Sequence, residues 1–455
     1  ESRIHDPLVS DDALSAARAF EALGSTIRQQ AGCWTVEGCG GKPTARQATI
    51  DVGNSGTTLR ILMGTATLMP TDGTVTLTGD GQIRRRPAQP LIEALNSLGA
   101  SVQSQLANGC APIQVTGHLQ GGLATVEAKT SQYVTSLLMA CPLAATDTTI
   151  RVPVLYEKPY VLMTLNWLKR QGIRFSHADD LTEFHVPGNQ RYSPFDCRIP
   201  ADFSSATFFL GAGALGANDV TCGELDMTDP QADKAVVGYL EAMGAGIDQD
   251  GHTIRVRARP LRGVCIDLND TPDALPVMAV LGCFAEGETR LHNVAQARIK
   301  ETDRIAVMTA ELTKMGADVE ELPDGMIIRK SRLHGCRVNG HHDHRVVMAL
   351  ALAGFHASGT TTVDTAEAAS VTFPNFDDFM RSLGEKSPPG PTGIPPTAPD
   401  RRVGTFSRHF QAPGSEPIPA GARSATTRTV GAASGSQDDP AKAVSKPPQT
   451  PRQRR

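Results

Sequence analysis

Residues 301–319, ETDRIAVMTAELTKMGADV, decide the fold. Their apolar residues recur at helical spacing, which predicts an amphipathic helix. Gly316 follows the last periodic residue, Met315, where a left-handed residue ends a helix. Ala317-Asp318-Val319-Glu320 then alternates apolar and polar, as a strand does. The same series recurs in Asp11–Ile27, Pro87–Val102, Tyr160–Phe175, Gln231–Ile247 and Phe376–Gly384. The terminating glycines fall at 24, 99, 172, 244, 316 and 384, at spacings of 75, 73, 72, 72 and 68. Such regularity marks an internal repeat.

A second element lies between these helices: a short strand, a polar loop, then an Ala-rich apolar helix. The copies are Ala48–Val52 before Asn54–Thr57, Ala124–Ala128 before Lys129–Gln132, Asp196–Ile199 before Asp202–Ser205, Val264–Leu268 before Asp270–Asp273, and Cys336–Val338 before His341–Arg345. Each unit therefore holds two helices and several strands, an α/β pattern. Six units would build two similar globules of three units each. Polar loops at helix N-termini would then converge on one cleft suited to anions. Six glycine-ended helices face five strand–loop–helix copies. The arithmetic places the missing copy before Ser10, so the first repeat is expected to be incomplete.

The composition sets limits. The chain has 455 residues and a net charge of −4, with 40% apolar and 20% charged residues. This is ordinary globular composition. Residues 387–455 differ, holding 13 of the 31 prolines and ten Lys+Arg against four Asp+Glu. That tail is expected to be disordered and basic, which leaves the first 386 residues at −10. An acidic core argues against nucleic acid as a partner, and no apolar run is long enough for a membrane helix. Nine scattered cysteines without a C-x-x-C pair point to reduced thiols and a cytoplasmic setting. A plastid stays open, because the sequence begins at Glu1 rather than Met.

Fixed cations mark the loops: Arg60, Arg84–Arg86, Lys300, Arg304 and Arg345. Arginine binds phosphate and carboxylate bidentately, so such a set suits small multi-anionic ligands. The acid–base candidates are Asp273, Glu301 and His344. Asp273 reads equally as the cap of helix Ala274–Leu281 or as a general base. Glu301 is expected in the first turn of its helix, as a network member or a proton donor. His341-His342-Asp343-His344 has no known zinc spacing, so no metal is expected. Walker, G-x-G-x-x-G and G-x-S-x-G signatures are missing, which argues against kinase, dehydrogenase and hydrolase.

Several runs occur together and in order: Gly53-Asn54-Ser55-Gly56-Thr57-Thr58-Leu59-Arg60, Arg86-Pro87, Ser131-Gln132, Lys300-Glu301-Thr302-Asp303-Arg304, Asp343-His344-Arg345 and Thr372-Phe373-Pro374. Over about residues 8–385 the chain resembles the 5-enolpyruvylshikimate-3-phosphate synthase family. The resemblance implies a two-globule inside-out α/β barrel of βαβαββ units, with 1–199 mostly one globule and 200–386 the other. It implies transfer of enolpyruvyl from phosphoenolpyruvate to the 5-hydroxyl of shikimate 3-phosphate, a step toward chorismate and the aromatic amino acids. The implied partners are these two small molecules, with no cofactor. A monomer is expected, since two globules already form the cleft.

By the same resemblance, Asp273 binds and deprotonates the hydroxyl, and Glu301 takes part in proton transfer at the methylene. Gly56, Arg86, Arg304 and Arg345 match phosphoenolpyruvate positions. Thr130, Ser131, Gln132, Asp273, Gln296 and Lys300 match shikimate 3-phosphate positions, while Asn54, Arg60 and His344 support the site. The chain also departs from the pattern. The family's G-S-K-S-x-x-x-R loop, which would belong to the missing copy, is not found. A family Lys stands as Val371 and a family Asn as Gln296. A substrate-contacting Ser stands as Glu157, which sets an anion beside an anionic ligand. Two other readings compete: a transferase acting on UDP-N-acetylglucosamine, which would need a uridine nucleotide, and a non-catalytic homologue.

Overall fold

Ser10, Ser55, Asp202, Asp303 and Asp343 each precede a helix, and each side chain accepts a hydrogen bond from a first-turn N–H. These caps satisfy donors that a helix cannot satisfy itself. They fix where the helices begin in the computed structural model, which describes residues 1–384 and 428–430. β1 (Ser2–His5), α1 (Asp11–Ala22), β2 (Thr26–Gln30) and β3 (Cys33–Glu37) open the chain. The second unit is β4 (Thr49–Asp51), α2 (Gly56–Ala66), β5 (Thr74–Thr78), α3 (Gln89–Ser97), β6 (Ser101–Ser104) and β7 (Ile113–Thr116). The third is β8 (Gly122–Ala128), α4 (Gln132–Ala140), β9 (Thr148–Leu155), α5 (Lys158–Arg170), β10 (Ser176–His177) and β11 (Glu183–Val186).

The fourth unit is β12 (Asp196–Arg198), α6 (Phe203–Gly213), β13 (Asp219–Cys222), α7 (Ala235–Met243), β14 (Gly246–Asp250) and β15 (Thr253–Arg257). The fifth is β16 (Cys265–Asp267), α8 (Leu275–Phe284), β17 (Glu288–His292), α9 (Arg304–Lys314), β18 (Asp318–Leu322) and β19 (Gly325–Arg329). The sixth is β20 (Arg337–Asn339), α10 (His344–His356), β21 (Thr362–Asp364) and α11 (Phe376–Gly384). The second, third and fifth units share one sheet order: β4-β5-β7-β6, β8-β9-β11-β10 and β16-β17-β19-β18. In each, the first two strands run parallel and the remaining pairs antiparallel. The repeat read from the glycines is thus βαβαββ. Gly24, Gly99, Gly172, Gly244 and Gly316 all adopt positive φ, between 70° and 110°.

Two features were not anticipated. β1 lies ahead of α1, and β12 pairs with it in parallel, giving the order β12-β1-β3-β2. β12 opens the fourth unit in sequence yet completes the sheet of the first. β22 (Arg428–Val430) runs parallel to β13 at the corresponding place in the fourth sheet. The expected disorder of 387–455 otherwise lies outside the described residues. Buried apolar side chains form two clusters, one from Ala19 to Val186 and one from Phe203 to Met380. α8 shows why its sequence is apolar all round: every residue from Leu275 to Cys283 is buried. Polar contacts link the two clusters' segments. Tyr160 Oη donates to Asp233 Oδ2 at 2.7 Å, Gln82 Nε2 donates to the His341 carbonyl at 3.2 Å, and Ser370 Oγ donates to Asp11 Oδ2 at 2.6 Å. Among the described residues, no helix is long and apolar enough to cross a membrane.

Gly316 tests the repeat reading. Its φ is +91°, and a Cβ there would come within 2.8 Å of the His334 ring. Gly316→Ala is expected to destabilise the protein by about 1–3 kcal/mol, measured by chemical denaturation. Unchanged stability would show that this helix stop does not need a left-handed residue.

Candidate active site

Four of the five polar loops contribute to one cleft between the two clusters. Asn54, Gly56 and Thr57 come from the first loop, Lys129, Thr130 and Gln132 from the second, Asp273 from the fourth, and His344 and Arg345 from the fifth. The segment before α9 adds Gln296, Lys300 and Glu301, and α9 itself adds Arg304. The Asp202–Ser205 loop is not among the lining residues. Asp202 is tied into its own cap, accepting from Ser204 N at 2.9 Å and from Ser205 Oγ at 2.6 Å. Every residue assigned to catalysis, ligand binding or support of the site lines the cleft, except Ser131, which lies one position from lining residues on both sides; Arg84, Arg85 and Glu157, also singled out from the sequence, are not among the lining residues.

Arg304 organises the cleft. It is 1% exposed. Its Nη1 donates to Asp273 Oδ1 at 2.6 Å, its Nη2 to Glu301 Oε2 at 2.6 Å, and its Nε to Asp343 Oδ2 at 2.8 Å. Glu301 also pairs with Arg86 at 2.7 Å, and Asp273 with Arg345 at 3.1 Å. Asp343 is locked in turn, because it caps α10 through Arg345 N at 2.9 Å and accepts from Thr302 Oγ1 at 3.1 Å. Arg60 Nη1 donates to Gln132 Oε1 at 2.6 Å, and its guanidinium lies over the Tyr133 ring at 5.6 Å. Asn54 Nδ2 donates to Asp80 and Gln82, both at 2.6 Å, which fixes the Gly-rich loop. A Cβ at Gly56 would clash with the Arg86 guanidinium, so glycine is what lets that arginine in.

The placement corrects two expectations. Asp273 does not cap a helix: it lies in the short turn Pro272–Ala274 ahead of α8, and the turn has no side-chain cap. Its oxygens go to arginines instead. Glu301 is not in a first turn, because α9 starts at Arg304 with Asp303 as its cap. It sits in the preceding turn, held from both sides by arginine.

Electrostatics follow from this packing. Burial alone would raise the Glu301 carboxyl, but the Arg86 and Arg304 charges hold it well below the ordinary range. Burial opposes ionisation of Asp273 too, and Arg345, Lys300 and Arg304 overcome it. Both are carboxylates at neutral pH. His344 is pushed down to about 4 by burial, which outweighs the Glu301 charge, so it is neutral. Arg60, Arg86, Lys129, Lys300, Arg304 and Arg345 face Asp12, Asp273 and Glu301 along the cleft, a surplus of three positive charges. Asn54 Oδ1, Arg60 Nε, Gln296 Oε1 and His344 Nδ1 are buried without a hydrogen-bond partner. Buried polar atoms are normally satisfied, so a polar ligand fits these four. The cleft can therefore bind anions and carry paired acid–base chemistry.

Sequence reasoning missed one acidic lining residue and two titratable groups that lie beyond the lining. Asp12 lines the cleft, and burial raises its carboxyl pKa. It lies at the start of the helix expected over Asp11–Ile27, where nothing in the sequence sets it apart. Tyr160 and Asp233 were also missed; burial and Asp273 push the Asp233 carboxyl up to about 6. They are far apart in sequence, and nothing local joins them.

A profile of the EPSP synthase family, 3-phosphoshikimate 1-carboxyvinyltransferases, matches residues 1–380. The chain is 49% identical over 385 residues to the 3-phosphoshikimate 1-carboxyvinyltransferase of Ruminiclostridium cellulolyticum, covering 85% of this chain and 90% of that one. It is 52% identical over 384 residues to that of Acetivibrio thermocellus, covering 84% and 90%. This chain belongs to the EPSP synthase family. An EPSP synthase structure from Acinetobacter baumannii superimposes with a TM-score of 0.69 at 26% identity, covering 84% of this chain and 89% of that one. The α/β architecture of repeated units is thus the fold of the family.

Arg304→Gln strands three carboxylates in the buried cluster. It is expected to destabilise by about 3–5 kcal/mol in chemical denaturation; a loss below ~1 kcal/mol would contradict the assigned geometry. His344 gives a pH test. Its folded pKa lies below the unfolded value near 6.5, so the unfolded chain takes up a proton first as pH falls. Stability is lost between about pH 6.5 and 4, by up to roughly 3 kcal/mol from this group. His344→Gln is expected to flatten that part of the stability–pH curve, and an unchanged curve would rule the assignment out.

Proposed function

We propose that this chain transfers the enolpyruvyl group of phosphoenolpyruvate to the 5-hydroxyl of shikimate 3-phosphate and releases phosphate. The observation that carries this reading is the pair Asp273 and Glu301, both partly buried and both bound to Arg304 inside a cationic cleft. Family membership agrees with it. The two substrates together bring two phosphates and two carboxylates, which match the surplus of arginine and lysine. We assign 1–199 and 200–386 as the two globules that flank the cleft.

Arg86, Arg304 and Arg345, with the Gly56 loop, receive phosphoenolpyruvate. Thr130, Ser131, Gln132, Gln296 and Lys300 receive shikimate 3-phosphate, and Asn54, Arg60 and His344 hold the surrounding loops. Each charge-assisted contact contributes about 1.5–3 kcal/mol. Asp273 takes the proton of the 5-hydroxyl as its oxygen attacks the substituted enol carbon. A proton reaches the methylene carbon through Glu301. The tetrahedral adduct then expels phosphate as the Glu301 carboxylate takes a proton back from the new methyl group, and the double bond re-forms.

The ion pairs explain how a strongly acidic Glu301 could carry that proton. Arg86 and Arg304 hold the carboxyl ionised. These are the same arginines assigned to the incoming phosphate and carboxylate. Once they turn to the ligand, Glu301 is left buried beside an anion, and both conditions raise its pKa. Asp273 gains basicity likewise when Arg345 and Arg304 engage the ligand.

The test is release of inorganic phosphate from phosphoenolpyruvate in the presence of shikimate 3-phosphate. Turnover is expected with both substrates and not with either alone. Asp273→Asn and Glu301→Gln should each lower kcat by about 10²–10⁴-fold, the usual worth of one acid or base. A folded wild-type chain that releases no phosphate would overturn the reading.

A further inference from the structure

Glu157 is the side chain that the proposed function does not use. It is 2% exposed and adopts a left-handed backbone conformation, φ +58°, just before α5. It makes no side-chain cap to that helix. A non-glycine residue held this way is often part of a functional arrangement. Its carboxylate reaches across to the start of α4. Ser131 donates to it through both N at 3.2 Å and Oγ at 3.0 Å, and Thr130 Oγ1 donates at 3.5 Å. Lys300 Nζ pairs with its other oxygen.

A backbone N–H near a helix start, two hydroxyls and an ammonium together make an anion cradle. Here the chain's own carboxylate fills it. We infer that Glu157 is an internal occupant of the cradle that the acceptor's phosphate must use, and that it sets the enzyme's selectivity for a phosphorylated acceptor. The inference rests on the proposed function, which assigns Thr130, Ser131 and Lys300 to shikimate 3-phosphate; their hydroxyls, N–H and ammonium are the donors that suit its phosphate. Two anions cannot share the same donors at hydrogen-bond distance. An arriving phosphate therefore displaces the Glu157 carboxylate and takes its hydrogen bonds. Lys300 belongs to the segment of the second apolar cluster and Glu157 to that of the first, so the exchange also breaks a contact across the cleft. An acceptor lacking the phosphate needs no such exchange. Glu157 thus narrows the preference for phosphorylated over unphosphorylated acceptor, and removing its charge widens it.

Calorimetric titration of wild type, Glu157→Gln and Glu157→Ser tests this, with thermal melts to establish folding. The probes are inorganic phosphate, shikimate 3-phosphate and shikimate. Both variants are expected to bind inorganic phosphate and shikimate 3-phosphate at least tenfold more tightly than wild type, while shikimate affinity changes less than twofold. Glu157→Gln keeps the side-chain shape and carries the test alone if Glu157→Ser does not fold. Equal or weaker binding of inorganic phosphate by the folded variants overturns the inference. Tighter inorganic phosphate with no shikimate 3-phosphate binding in any form supports the occupied cradle and overturns the proposed acceptor.

Discussion

One guanidinium holds three carboxylates, and the cleft depends on it. Arg304 joins the turn before α8 through Asp273, its own preceding turn through Glu301, and the cap of α10 through Asp343. The first two segments belong to the fifth unit and the third to the sixth, so the one guanidinium ties two repeats together. Burying such a cluster is costly unless every charge is paired, and here every member is. A lost partner would leave an uncompensated charge in a largely buried cluster. Glu301 then extends the network to Arg86, on the other side of the cleft.

The ligand-free cleft satisfies its cations with its own anions. Glu301 occupies Arg86 and Arg304, Asp273 occupies Arg345, and Glu157 occupies Lys300. On the proposed function, binding of a multi-anionic ligand is then an exchange of anions as well as the filling of a cationic cleft. The exchange has a chemical consequence, because the displaced carboxylates lose the charges that kept them weakly basic. The proposed function thus couples positioning and proton transfer through the same side chains. The polar links across the cleft serve this purpose better than apolar ones would, since they can be remade with a ligand.

The repeat was legible because it rests on local rules. A glycine after an amphipathic run has a backbone reason to be there, and five of them show positive φ. The strand–loop–helix copies were legible for the same reason, and the loops carried the candidate residues into the cleft. Finer placement was not. The start of α9 is set by Asp303 receiving Ala306 N, which moved Glu301 out of the helix. Asp273 looked like a cap because Pro272 precedes it, yet distant arginines claim both its oxygens. The pairing of β12 with β1 joins residues nearly two hundred positions apart, and no sequence period reports it. Asp12, Tyr160 and Asp233 were hidden because long-range packing gives them their surroundings.

The central claim is that ligand anions free Glu301 from its arginines and make it a proton carrier. The most direct measurement is carbon-13 NMR of protein labelled at the glutamate carboxyls, with the Glu301 signal assigned by Glu301→Gln. Without ligand, the signal should stay at the ionised position at a pH where free glutamate is half protonated, about 4.3. With saturating phosphoenolpyruvate and shikimate 3-phosphate, it should move toward the protonated position at the same pH. A Glu301 signal that titrates identically with and without the ligands would contradict the account.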